Sequence, residues 1–266
     1  MIAALPMYDL PELRTATDTL WGASAAALVR MDVDEVPATL TRGREVYGLW
    51  TDPGLLLAQT CGYPLTHDLA GKVRLVAVPC YAAPGCTGLY YSSLLIVRHG
   101  SARSLGELRG ARAAFNVRDS QSGYAALRAA AAPLARDGAF FGEIVETGAH
   151  VASITAVREG RADVCAIDAV LHALLARHRP RALDGVEVIG TSPPCPGLPY
   201  VTAAARSDAT VAALHVALSD VADDRALAGT RAALLLDGFA DLPLTAYDAV
   251  IAMEQACADR GYGDLA

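Results

Sequence analysis

Between Phe115 and Tyr124 the chain reads Phe-Asn-Val-Arg-Asp-Ser-Gln-Ser-Gly-Tyr. Ser120, Gln121 and Ser122 stand where an apolar run, Ala111 to Val117, breaks into a short polar loop. An Ala-rich stretch from about Ser122 to Ala135 follows. The pattern predicts a buried strand, a loop and a helix. A helix start presents backbone N–H groups and the positive end of the helix dipole. Two hydroxyls added there make a site for a small oxyanion. No Lys lies in or just after the loop, so it is not a nucleotide-binding P-loop. A serine N-cap explains the same residues equally well when they are taken alone.

Further polar residues follow the other predicted strands. They are Tyr8 and Asp9, Gln59 and Thr60, Tyr81, Thr147 and His150, and Asp168. In open α/β sheets ligands collect outside the carboxyl ends of the strands. Each residue also has an ordinary role: Asp168 as a helix cap, His150 as a first-turn residue, Tyr81 as packing. A Ser-His-Asp set could be drawn from Ser120, His150 and Asp168, but no G-x-S-x-G elbow is present. Metal-ligand spacing of the H-E-x-x-H kind is absent too, and no cofactor motif is seen. Cys61, in a Cys-Gly turn, could be a nucleophile, although a buried thiol is the commoner role.

The elements that must position these residues alternate along the chain. Strands are predicted at 2–6, 55–59, 73–78, 89–98, 111–117, 144–146, 162–167, 186–189 and 200–204, with helices between most of them. Residues 207–266 read as mostly helical. This alternation predicts an α/β fold with mixed, mostly parallel sheets flanked by helices. Composition shifts near 82–88 and 192–199 suggest an inserted lobe. The outer lobe is then 1–86 plus 192–266 and the inner lobe 87–191, with hinge crossings near 82–92 and 190–200 and a cleft between the lobes.

Composition narrows the function classes. Hydrophobic residues make up 53% of the 266, and no apolar run is long enough to span a membrane. Net charge is −7 without a basic cluster, so nucleic acid is not an expected partner. Any anion must be held by local donors against the overall field. Six cysteines are scattered, and a Cys80–Cys86 disulfide across their short loop is geometrically open. The opening Met1 to Asp9 lacks a basic export-signal region. As encoded it reads as cytoplasmic, and as periplasmic if an export signal has been removed.

Four blocks carry a family resemblance: Leu57 to Leu65, Tyr90 to Ser93, Asp119 to Tyr124, and Thr147 to Ser153 leading on to Gly160 through Asp168. With these the chain resembles the PhnD-like phosphate, phosphite and phosphonate solute-binding proteins of ABC importers, within the type 2 periplasmic-binding-protein fold. The Gln59-Thr60-Cys61-Gly62 block points to a divergent branch. The resemblance implies two α/β lobes that close on a small oxyanion and present it to a transporter permease. It implies the oxyanion on Ser120, Gln121 and Ser122, assisted by His150. Asp168, Tyr8 and Tyr81 are then candidates for holding an amino group, with Gln59 and Thr60 as further contacts. A binding protein is expected rather than an enzyme, as a monomer or weak dimer. The alternative is a cytoplasmic enzyme or ligand sensor on the same fold, with thiamine-precursor-like chemistry.

Overall fold

Leu55, Leu56, Leu57 and Ala58 offer no polar face, and the strand they form, Leu55–Gln59, is buried throughout. In the computed structural model, which describes Met1–Ala266, this strand is the second of five in one sheet. Its neighbours are Ile2–Ala4, parallel, and Tyr200–Ala203, antiparallel. Val73–Tyr81 and Leu236–Ala240 complete the sheet, both pairings antiparallel. The helices Arg14–Arg30 and Asp208–Asp223 turn Trp21, Leu28, Leu214 and Leu218 onto Leu56 and Val76.

A second five-stranded sheet runs in the order Val186–Thr191, Ser93–Arg98, Val164–Asp168, Arg112–Phe115, Glu143–Glu146. Arg112–Phe115 is parallel to both of its neighbours, and the other pairings are antiparallel. Antiparallel pairings therefore outnumber parallel ones, against the mostly parallel sheets expected. Ser93–Arg98 and Tyr200–Ala203 are the first strands of the two five-stranded sheets to follow a change of unit, and both run against their neighbours.

The chain forms two units. The first comprises Met1–Ala82, Thr87–Leu89 and Gly197–Ala246. The second comprises Ala83–Cys86, Tyr90–Pro196 and Tyr247–Ala266. The last segment departs from the expected division, which put all of 192–266 in the outer lobe. Its helix Asp248–Ala258 and the turn after it place Cys257, Tyr262 and Leu265 among Leu127, Phe115 and Phe140 of the second core. Arg128, buried to 4% exposure, donates to the Gly263 carbonyl at 2.5 Å and to Glu254 at 3.3 Å. A run read only as helical carried no sign of which sheet it would cover.

The strand predicted over 89–98 is broken at Ser92 into Tyr90–Tyr91 and Ser93–Arg98. Leu236–Ala240 was not foreseen, because Asp237 and Gly238 interrupt its apolar pattern. All six cysteines are free thiols, so Cys80 and Cys86 do not pair. Burial, with the nearby Asp168 carboxylate second, pushes the Cys86 thiol up to about 12. No helix is long and apolar enough to cross a membrane.

The fully buried Tyr262 tests the place of the last segment. Tyr262→Ala is expected to destabilise the second unit by about 3–5 kcal/mol, as for other buried aromatic truncations. Urea unfolding followed by circular dichroism measures it. A loss below about 1 kcal/mol would mean the segment is not part of that core.

Candidate functional site

The candidate loop begins where Arg112–Phe115 ends. Ser120 caps the helical run that follows, its Oγ accepting the Gly123 N–H at 2.9 Å. The first turn is a π-helix, Gln121–Ala125, which passes into the α-helix Ala126–Ala131. Its wide turn is set by the Ala125 N–H reaching back five residues to the Ser120 carbonyl at 3.0 Å. The N–H groups of Gln121 and Ser122 have no acceptor inside such a helix. Ser120, Gln121 and Ser122 are 5%, 0% and 4% exposed.

Gly123 lies against the Asn116 side chain. A Cβ there would lie 1.8 Å from Asn116 Oδ1 and 3.2 Å from Ser120 Oγ. The close approach folds the loop back over the strand end. It also buries Asn116 Oδ1 without a hydrogen-bond partner. Gln121 Oε1 and Ser93 Oγ share that condition. A buried polar atom with no partner costs about 1–3 kcal/mol. Asn116 was not singled out in the sequence, since one Asn after a strand is ordinary turn chemistry. Only the glycine seven residues on hinted at crowding.

The second loop follows the neighbouring parallel strand, Glu143–Glu146. Thr147 and Gly148 donate their N–H groups to the Phe115 and Asn116 carbonyls at 2.9 and 2.8 Å, stitching the two loops together. Thr147 Oγ1 also bonds to Ser153 Oγ at 2.7 Å. His150 is then the first residue of the helix His150–Arg158. Its Nε2 lies 2.9 Å from Ser122 Oγ, so the two helix starts meet. Burial drives the His150 pKa down to about 4, only partly offset by the Ala166 carbonyl. The imidazole is therefore neutral at pH 7 and serves as a hydrogen-bonding group.

Asp168 ends the strand Val164–Asp168 and accepts the Leu171 N–H at 2.9 Å, as a helix cap. It is buried and stands opposite Ser93 in the sheet register. The Ser120-His150-Asp168 set is not assembled. His150 bonds to Ser122 rather than Ser120, and Nδ1 bonds to no carboxylate. No group of His, Cys, Asp and Glu has the geometry to hold a metal ion.

The remaining candidates lie in the first unit. Tyr8 and Tyr81 meet edge to face, ring centroids 5.5 Å apart. Gln59 Nε2 donates to Tyr81 Oη and to the Leu198 carbonyl, both at 3.2 Å. Thr60 is fully buried and its hydroxyl has no partner. Asp9, adjacent in sequence to Tyr8, is held by Arg42 at 3.0 Å and by Arg14 at 3.4 Å. Cys61 is buried.

Two measurements test this geometry. Gly123→Ala is expected to destabilise the protein by about 1–3 kcal/mol through overpacking. Because the clash is with the Asn116 side chain, adding Asn116→Ala should restore most of the loss. The second concerns pH. The unfolded chain protonates His150 near its ordinary 6.5, and the folded protein not until about 4. Stability is full above pH 6.5 and falls as pH drops from there toward 4. The loss is at most about 3 kcal/mol, less whatever the ring's residual exposure removes. His150→Gln should flatten that slope in denaturant titrations, leaving the part due to half-buried His172, whose pKa burial also lowers.

Residues 55–247 match the family model described as the periplasmic substrate-binding protein of phosphonate ABC transporters. No curated protein matches the sequence. Among solved structures, the chain is similar to PhnD1 from Prochlorococcus marinus in complex with methylphosphonate. That match has a TM-score of 0.74 at 13% identity, over 96% of this chain and 97% of that one. It is likewise similar to a binding protein component of an ABC phosphonate transporter from Pseudomonas aeruginosa, with a TM-score of 0.74 at 18% identity over 98% and 87%. A Xanthomonas citri protein bound to chloride gives 0.70 at 15% identity over 97% and 98%. These likenesses give the fold, the two-lobe type 2 periplasmic-binding-protein fold. The family match covers most of the chain, which belongs to the phosphonate-binding periplasmic substrate-binding proteins of ABC transporters.

Proposed function

We propose that this protein binds a small phosphonate-like oxyanion on the Ser120–Gly123 helix start and delivers it to an ABC importer. The observation that carries the reading is the meeting of Ser122 and a neutral His150 at 2.9 Å, where two helices begin. Both helix starts direct N–H groups and positive dipole ends toward the same loops. Hydroxyls, amide N–H groups and a neutral imidazole can bind an anion without bringing in a like-charged or counter-charged side chain. With a net charge of −7 the protein as a whole repels anions, so such local donors must supply the affinity. Methylphosphonate, bound by the Prochlorococcus relative, is the natural first ligand to test.

In this reading Ser120, Gln121, Ser122 and His150 hold the oxyanion. Tyr8, Tyr81, Gln59 and Thr60 are proposed contacts from the first unit. Asp168 is proposed to favour ligands that carry a cationic group, alongside its capping role. The unassembled Ser-His-Asp set lends the enzyme alternative no support.

Isothermal titration calorimetry with methylphosphonate, phosphate and sulfate tests the assignment. Each of Ser120→Ala and Ser122→Ala removes a donor to a charged group, an expected loss of about 1.5–3 kcal/mol, or roughly 10- to 150-fold in Kd. Ser122→Ala is the cleaner variant, because Ser120→Ala also removes a helix cap. If both variants bind as tightly as wild type, the oxyanion does not sit on this loop.

A further inference from the structure

A carboxylate of the last segment contacts the two residues that flank the Ser120–Gly123 turn. Tyr124 Oη donates to Asp264 Oδ1 at 2.6 Å, a short charge-assisted bond. Arg118 Nη1 donates to the same oxygen at 3.3 Å and lies 3.4 Å from Tyr124 Oη. Arg118 and Tyr124 stand on either side of the Ser120–Gly123 turn, and one carboxylate oxygen joins them. The Leu265 N–H adds a bond to Tyr124 Oη at 3.1 Å. The Tyr124 ring is 5% exposed and packs edge to face on Phe115, centroids 5.0 Å apart. The guanidinium carbons of Arg118 and Arg128 lie 5.6 and 5.5 Å from its centroid. The Tyr124 N–H in turn bonds to the Ser120 carbonyl at 3.2 Å. A shift of Tyr124 is thus passed directly to the residue that caps the helix.

We propose that Asp264 is a positioning residue for the oxyanion loop, fixing Arg118 and Tyr124 so that the Ser120–Gly123 turn keeps its binding geometry. The inference rests on the reading of that loop as the oxyanion site. The Arg118 and Asp264 side chains are 66% and 76% exposed. As an ion pair between exposed groups they contribute little stability. Their consequence lies in the loop they tie down. The sign of the effect separates positioning from plain electrostatics. Removing a negative charge near an anion site would tighten anion binding, whereas releasing the clasp weakens it.

The test uses the full chain and methylphosphonate titrations of wild type, Asp264→Asn, Tyr124→Phe, the double variant and Ser122→Ala. All are measured where circular dichroism shows them folded. Asp264→Asn and Tyr124→Phe are each expected to raise Kd about tenfold, and the double variant no further than either alone. Binding by Asp264→Asn at wild-type strength or tighter, with Ser122→Ala weakened, overturns the proposal and leaves the oxyanion site standing. Amide hydrogen exchange in the ligand-free protein reads the clasp independently of any ligand. Asp264→Asn should speed exchange at Gln121–Tyr124 about fivefold without altering the sheet, and unchanged exchange there overturns the clasp. If wild type binds no oxyanion while this exchange still rises, the binding-site reading fails and the clasp stands as a loop-ordering contact.

Discussion

Two helices begin side by side because the strands that feed them, Arg112–Phe115 and Glu143–Glu146, are parallel neighbours in register. Parallel strands end at the same edge of the sheet, so the loops that leave them meet. Hydrogen bonds from Thr147 and Gly148 to the Phe115 and Asn116 carbonyls lock that meeting. The close contacts around Ser122 follow from it. Ser122 reaches His150 across the two helix starts. Gly123 is pressed onto Asn116.

Burial keeps His150 neutral, and none of Ser93, Asn116, Ser120, Gln121 and Ser122 carries a charge. A cation buried there would need desolvation and a partner of its own. Neutral donors at helix ends need neither.

Much of this was legible in the sequence. The apolar run Ala111 to Val117, the Ser-Gln-Ser-Gly loop and the Ala-rich stretch after it specify strand, loop and helix through local periodicity and capping, although the strand itself stops at Phe115. Thr147 and His150 at the next helix start were visible for the same reason. Long-range features were not. Nothing local in Asp248–Ala266 says that Tyr262 and Leu265 enter the second core. The grip of Asp264 on Tyr124 joins residues 140 positions apart. The strand Leu236–Ala240 is held by its antiparallel partner rather than by its own pattern. Asn116 looked like turn chemistry until the backbone of Gly123 was seen against it.

The central claim is that the oxyanion sits on the N–H groups of the Ser120–Gly123 turn beside His150. A ¹H–¹⁵N NMR titration of the wild-type chain with methylphosphonate tests it most directly. Saturable shifts are expected to be largest at the amides of Gln121, Ser122 and Gly123, with a linked change at the His150 imidazole. Saturable binding whose largest shifts fall elsewhere, with those amides and His150 unmoved, would contradict it.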